Sequence, residues 1–193
     1  MSIITLTEQG SAPSTPASSM TKVYVGSDGL LRSVDDAGTV TVYSGVKPAP
    51  DVILEDQKTS GTSAGTSTSG SWYAATINTI VRDPDSLVTL VSNTFTFSVD
   101  GYIEWGFTFL RPDNFRTRLL NATDSTEDAI SFTEYSNQGT ENSNVWSRYS
   151  AFVTAGKDYR IDRKVGYGVS TYGYGFASSM GVEKYGYVHF WRT

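Results

Sequence analysis

The sequence predicts an all-β protein in which an N-terminal extended arm and a small β-meander precede a jelly-roll β-sandwich. Short alternating apolar segments are separated by clusters of Gly, Asp and Ser, as strands and turns require. No segment carries apolar residues at the 3.6-residue period of an amphipathic helix. Aromatic residues reach 13%, whereas charged residues make up only 18%, against roughly 25% in an average soluble domain.

Residues 1–20 form the predicted extended arm. A short β-branched patch is followed by Ser, Pro, Ala and Thr, with no periodicity able to bury one face. Twenty extended residues span about 65 Å, so this segment could lie along another protein. The alternative is an unstructured chain terminus.

Residues 21–50 are predicted to form a three-stranded meander followed by a linker. The segment alternates sharply, and its breaks at 27–29 and 35–38 contain the Asp and Gly residues that tight hairpins favour. Three short strands bury little surface, so we expect the meander to pack against a partner or a copy of itself. The Pro-containing segment 45–50 then serves as a stiff linker.

Residues 51–193 are the predicted jelly-roll knob, a common size for one domain. After a Gly/Thr/Ser-rich segment at 59–71, which is expected to be a flexible surface loop, we predict strands over 72–81, 88–99, 102–110, 116–122, 129–135, 145–153, 158–165 and 185–191. Residues 94–110 have apolar side chains on both faces of the predicted strands. We therefore expect one sheet face to be covered by something other than the opposite sheet, for which another subunit is a candidate.

Charge and composition exclude several classes of function. The net charge of −5 has the wrong sign for binding nucleic acid. No apolar run approaches the length of roughly 18 residues that a membrane helix needs, and the first residues do not resemble a secretion signal. We therefore expect neither a nucleic-acid nor a membrane partner.

Catalytic and metal chemistry also lack their usual residues. The chain contains no cysteine and one histidine, His189, so thiolate and multi-histidine sites are absent from the sequence. Acidic groups that could form acid/base pairs all fall in predicted turns, where Asp caps backbone N–H groups: Asp35 with Asp36, Asp83 with Asp85, and Asp124 with Glu127 and Asp128. We expect no enzyme, no cofactor and no metal, although the last cluster leaves a hard cation as an alternative.

Aromatic residues crowd the final 27 residues and alternate there with glycine. They are either sandwich core or rings buried between three chains. The residues predicted for trimer interface or core are Tyr102, Phe107, Phe176, Tyr185, Tyr187, Phe190 and Trp191. In the stretch 167–175, Tyr167, Tyr172 and Tyr174 could form a loop that binds a sugar or a protein, or they could serve ordinary loop packing.

An ordered series of motifs carries a family resemblance. Asp56-Gln57-Lys58, Trp72 after the Gly/Thr/Ser segment, Asn78, Gly101-Tyr102, the hairpin 118–124 and the ending Phe190-Trp191-Arg192 resemble trimeric jelly-roll domains of bacteriophage fibre and decoration proteins. These domains are similar in fold to tumour necrosis factor and to the globular heads of complement. Ala75 departs from the pattern, because many relatives have a basic residue there.

The front of the chain resembles a small module of phage virion proteins, in which a Pro-Ser-Thr-Pro stretch precedes a hairpin. The resemblance implies a homotrimeric capsid decoration, cement or head-fibre protein on the virion surface. It would be anchored to the major capsid protein, or another virion protein, through Ile3, Ile4, Leu6, Pro13, Pro16, Val23 and Tyr24. The alternative is the tip of a tail fibre that adheres to host surface polysaccharide. The short segment 45–50 favours the capsid, because a tail fibre normally needs a long shaft.

Overall fold

The computed structural model describes residues 8–9, 14–17, 20–26, 31–43, 49–136 and 144–193. Within these residues there are strands and turns but no helix, which confirms the all-β class. The chain divides into two compact units, Met1–Ala49 and Pro50–Thr193. Four of the predicted anchoring residues lie outside the described residues: Ile3, Ile4, Leu6 and Pro13.

The first unit contains one four-stranded sheet. Its strands are β1 (Glu8–Gln9), β2 (Lys22–Gly26), β3 (Leu31–Val34) and β4 (Val40–Tyr43), in that spatial order. The meander β2–β4 is antiparallel, as the alternation predicts. The turn after β3 is closed by Asp35, whose carboxylate accepts hydrogen bonds from the backbone N–H groups of Ala37 and Thr39.

The described part of residues 1–20 contacts its own unit. Strand β1 pairs in parallel with β2, and the Lys22 ammonium donates a hydrogen bond to the Ser14 carbonyl oxygen at 2.8 Å. Pro16 and Tyr24 are buried, whereas Val23 is exposed. At these positions the segment adds a strand to the meander instead of extending away from it.

The second unit contains two sheets. The five-stranded sheet has the order β14-β10-β16-β5-β7, and the seven-stranded sheet has the order β12-β11-β15-β9-β8, with β13 paired to β11 and β6 paired to β15. The strands are β5 (Val52–Lys58), β6 (Tyr73–Ala74), β7 (Thr79–Arg82), β8 (Val88–Val91), β9 (Thr94–Phe97), β10 (Gly101–Leu110), β11 (Asp113–Asn121), β12 (Thr126–Ile130), β13 (Glu134–Ser136), β14 (Asn144–Val153), β15 (Asp158–Val165) and β16 (Glu183–Arg192).

The two sheets of the second unit enclose one hydrophobic core. Inward side chains of both sheets form a single buried cluster, in which the rings of Phe97 and Phe190 stack with centroids 4.0 Å apart. The Trp105 indole N–H donates to the Thr117 hydroxyl across the core at 2.8 Å. The chain passes from one sheet to the other at most connections, as in a jelly roll. The predicted β-sandwich is confirmed.

Three predicted strands are broken in the structure. Residues 88–99 form the hairpin β8–β9, because Ser92 and Asn93 both adopt positive φ, of 49° and 69°, as a two-residue type I′ turn requires. The Asn93 side-chain oxygen also accepts a hydrogen bond from the Ile77 N–H. Residues 72–81 divide into β6 and β7, and residues 129–135 divide between β12 and β13.

A buried polar cluster lies between the two sheets. Arg163 of β15 and Asp56 of β5 are both buried, and the Arg163 guanidinium lies 3.8 Å from the centroid of the Tyr174 ring. Burial raises the pKa of Asp56 and lowers the pKa of Arg163 to about 10. Tyr174 is itself buried, so its predicted place in an exposed ligand loop is wrong.

Candidate functional site

The outer face of the five-stranded sheet carries exposed aromatic rings. Tyr102 of β10 lies between its pairing partners Phe152 of β14 and Trp191 of β16. The rings of Tyr102 and Phe152 meet edge to face, with centroids 5.3 Å apart. These two side chains are 56% and 45% exposed. Because large exposed apolar patches mark interaction sites, this is the strongest candidate site for macromolecular contact in the second unit.

The same face continues along β16 through Tyr187 and His189. The ring centroid of His189 lies 4.4 Å from that of Tyr187 and 5.9 Å from that of Trp191. Tyr187 also approaches Trp146 of β14, with centroids 6.2 Å apart. We name this surface the aromatic face and define it by six residues: Tyr102, Trp146, Phe152, Tyr187, His189 and Trp191.

A glycine makes this arrangement possible. Gly106 pairs with Tyr187 across β10 and β16, and a Cβ atom at Gly106 would lie 2.6 Å from the Tyr187 ring. The missing side chain lets the ring of Tyr187 lie across β10 toward Trp146. A glycine opposite an aromatic residue is a known way to fill a gap in a sheet.

Charged groups of both signs border the aromatic face. The Tyr187 hydroxyl donates a hydrogen bond to the Glu104 carboxylate at 3.1 Å, and the Arg148 guanidinium lies 5.3 Å from the centroid of the Trp146 ring. Burial, together with the nearby Glu104 charge, raises the pKa of Tyr187 to about 12. Because the rings are bordered by both an acidic and a basic side chain, two copies of this surface can meet with opposite charges facing one another.

The structure divides the residues that the sequence assigned to trimer interface or core. Phe107, Tyr185 and Phe190 lie in the core of the chain itself. Tyr102, Tyr187 and Trp191 belong to the aromatic face. Phe176 belongs to neither group, since it is 50% exposed and meets Tyr172 edge to face, with ring centroids 5.6 Å apart.

Sequence reasoning missed Trp146 and Phe152. Both lie on β14, their side chains point to the same side of the sheet, and both are exposed. The sequence did contain a sign of an exposed apolar face, because apolar side chains of residues 144–153 point to both sides of the strand. Val145, Ala151 and Val153 point into the core, so the apolar residues at the alternate positions must point outward. Their proximity to Tyr102 and Tyr187 depends on the pairing of β14 with β10, which the sequence does not specify.

The Gly/Thr/Ser-rich segment packs against the segment that follows β15. Ala64 donates a backbone hydrogen bond to Gly175, and Ser67 donates one to Val169. Most residues of 59–71 are exposed and lie outside the strands, as predicted for a surface loop, whereas Ala64 and Ser67 are buried. Of the predicted ligand-loop residues, Tyr167 is exposed and Tyr172 is half-buried.

The acidic residues that were considered for acid/base chemistry have structural contacts. Asp83 accepts hydrogen bonds from the backbone N–H groups of Leu87 and Val88. The ammonium of Lys157 lies 2.9 Å from the Asp124 carboxylate, and its hydrogen bond is the leading cause of the lowered pKa of Asp124. Within the described residues, no three His, Cys, Asp or Glu side chains form a group suited to a metal ion.

No protein-family model matches the chain, and no curated protein matches it. Among the described residues, no helix is long and apolar enough to span a membrane.

Proposed function

We propose that the protein is a homotrimeric structural protein of a bacteriophage virion, a capsid decoration or head-fibre protein. In this proposal the second unit is an outward knob and the first unit is the anchor. The observation that carries the proposal is the aromatic face. Exposed and half-buried rings on three neighbouring strands of one sheet face favour a protein whose function is assembly, since burying such rings supplies much of the energy of protein interfaces.

The proposed occupant of the aromatic face is a second and third copy of this chain. Glu104 and Arg148 lie near one another on this face, so neighbouring copies could pair opposite charges around the rings. The number three comes from the resemblance to trimeric jelly-roll domains, in which copies meet around one axis. A cyclic trimer would use one type of contact three times.

The first unit is the proposed anchor on the major capsid protein. Val23, Val40 and Val42 are exposed on its sheet and offer apolar contact area. Strand addition at a sheet edge would supply main-chain hydrogen bonds to the coat protein. Three anchors on one trimer would bind with an avidity well above that of a single anchor. The proposal includes no catalysis and no cofactor.

A tail-fibre tip that recognises host surface polysaccharide is the second candidate. It is favoured by the exposed Tyr167 and by a groove that begins at the neighbouring Gly166. Both functions could occur in one protein, because a knob on the capsid could also adhere to a host surface.

Labelling purified virions with an antibody against this chain tests the location. Signal over the icosahedral shell is the expected result, and signal at the tail alone would contradict the decoration proposal. A chain that lacks residues 1–49 provides the matched test of anchoring. We expect this shortened chain to be absent from particles, and its normal incorporation would exclude the first unit as the anchor.

A further inference from the structure

The outer face of the seven-stranded sheet contains an open groove of about 470 Å³, within the size range of ligand sites. It is lined by Ser69, Asn114, Arg116, Thr133, Lys164 and Gly166, among others. Its wall is held by backbone hydrogen bonds, because Gly70 donates to the Val165 carbonyl and Gly166 donates to the Asn114 carbonyl at 2.6 Å. The groove is therefore formed by the fold without a ligand.

Two cations lie directly opposite one another in this groove. Arg116 of β11 and Lys164 of β15 are cross-strand partners, and like charges in that position destabilise a sheet. Each lies 5.8 Å from the centroid of the Trp72 ring. Within the part of the chain that the structure describes, neither cation is within 4.0 Å of a carboxylate oxygen.

The next pair on the same face of these two strands has the opposite arrangement of charge. Arg118 lies opposite Asp162, and their side chains form an ion pair at 2.9 Å. Arg160 also pairs with Asp162, at 2.8 Å. Among the described residues, the sheet thus neutralises Arg118 with Asp162 but supplies no carboxylate to Arg116 and Lys164. The chain as a whole nevertheless carries a net charge of −5. An anionic ligand would supply the missing charge.

Two exposed tyrosines neighbour residues that line the groove. Tyr135 of β13 is the cross-strand partner of Asn114, which lines the groove, and it is 68% exposed. Tyr167, which is 46% exposed, directly follows Gly166. Glu134 pairs with the inward-facing Phe115, so the alternation of the strand places it on the opposite side of the sheet from Tyr135.

We propose that this groove binds an acidic polysaccharide, with a sugar carboxylate held between Arg116 and Lys164 and a sugar ring against Tyr135. An Arg–carboxylate contact can be bidentate and charge-assisted. A uronic-acid chain fits better than a nucleic acid, because its charges are spaced by whole sugar rings and the net charge of the protein repels a dense polyanion. The inference rests on the receptor-binding proposal and names its ligand class.

The experiment measures binding to the full chain by titration calorimetry. The probes are a uronic-acid tetrasaccharide, a neutral tetrasaccharide of the same linkage, and inorganic phosphate. We expect the uronic-acid probe to bind at least about tenfold more tightly than the neutral probe, and Arg116→Gln to weaken it by about tenfold. Arg82→Gln is the charge-matched control, since Arg82 is exposed on β7 of the other sheet; it should change the affinity by less than about twofold.

Three results would overturn the inference. They are equal affinity for the acidic and neutral probes, unchanged affinity after Arg116→Gln, and phosphate binding as tight as that of the tetrasaccharide. Tyr135→Ala separates a saccharide site from a simple anion site, because it should weaken the tetrasaccharide and leave phosphate unaffected. These measurements are independent of where antibodies label the virion, so failure of the ligand assignment is distinguishable from failure of the proposed location.

Discussion

The two faces of the five-stranded sheet carry similar aromatic residues in opposite environments. On the inner face, Phe107 and Phe190 are fully buried by side chains of the same chain. On the outer face, Tyr102 and Phe152 remain about half exposed. The chain therefore buries its inner rings by itself, whereas burial of the outer rings requires another molecule. Under the proposed function, the inner rings serve folding and the outer rings serve assembly.

Each face also contains a glycine beside a ring. Gly106 lies under Tyr187 on the outer face, and Gly186 lies against Phe107 on the inner face. The two pairs use the same neighbouring strands, β10 and β16. Substitutions at matched positions can therefore test the two faces separately.

The largest expected effect comes from an inner ring. Phe190→Ala should lower the free energy of unfolding by about 3–5 kcal/mol, because it removes a buried ring stacked on Phe97. Trp191→Ala is the matched outer change, and measured on dissociated chains it should cost clearly less. Denaturant unfolding at low protein concentration gives both values. Equal losses would show that the outer ring is as much a part of the core as the inner one.

The glycine pair gives a smaller effect. Gly186→Ala should cost about 1–3 kcal/mol, since the added methyl group would overlap the Phe107 ring in a packed core. Gly106→Ala should displace only Tyr187, which can move toward solvent, and should therefore alter self-association more than folding. Unfolding and sedimentation measurements on both variants test this. A larger loss of stability for Gly106→Ala would contradict the assignment of the faces.

Loss of folding stability at low pH should arise from a residue outside the two aromatic surfaces compared above. Glu183 accepts hydrogen bonds from the N–H groups of Gly61, Ser178 and Ser179, and these bonds lower its pKa to about 2. Because the folded pKa is below the ordinary value of 4.5, this stabilisation is present above pH 4.5 and is lost as the pH falls toward 2. Glu183→Gln should reduce the pH dependence of the unfolding midpoint in that range. An unchanged dependence would contradict this role.

The sequence predicted the strands and turns that depend only on residues adjacent in the chain. Alternation located β15 at 158–165, and the Asp35 turn was evident from Asp and Gly alone. The break at Ser92 and Asn93 was missed, because the flanking residues alternate without interruption and neither turn residue is glycine. Backbone conformation at that point is stabilised partly by a contact with Ile77, which is distant in sequence.

Neither candidate site could be assembled from the sequence. Arg116 and Lys164 become neighbours only through the pairing of β11 with β15, and Phe152 reaches Tyr102 only through the pairing of β14 with β10. Tyr174 was misassigned for a similar reason: a Tyr/Gly-rich stretch has the composition of an exposed loop, but this ring packs on the buried Arg163. Residue types indicated candidate side chains, whereas strand register determines which of them lie together.

Sedimentation equilibrium of the full chain at micromolar concentration tests the central claim most directly. If the outer aromatic face is buried by two further copies, the mass should be about 63 kDa, three times the chain mass of 21.0 kDa. Tyr102→Glu should reduce this mass to that of one chain while the fold is retained. A wild-type chain that sediments as a folded monomer of 21.0 kDa would contradict the account.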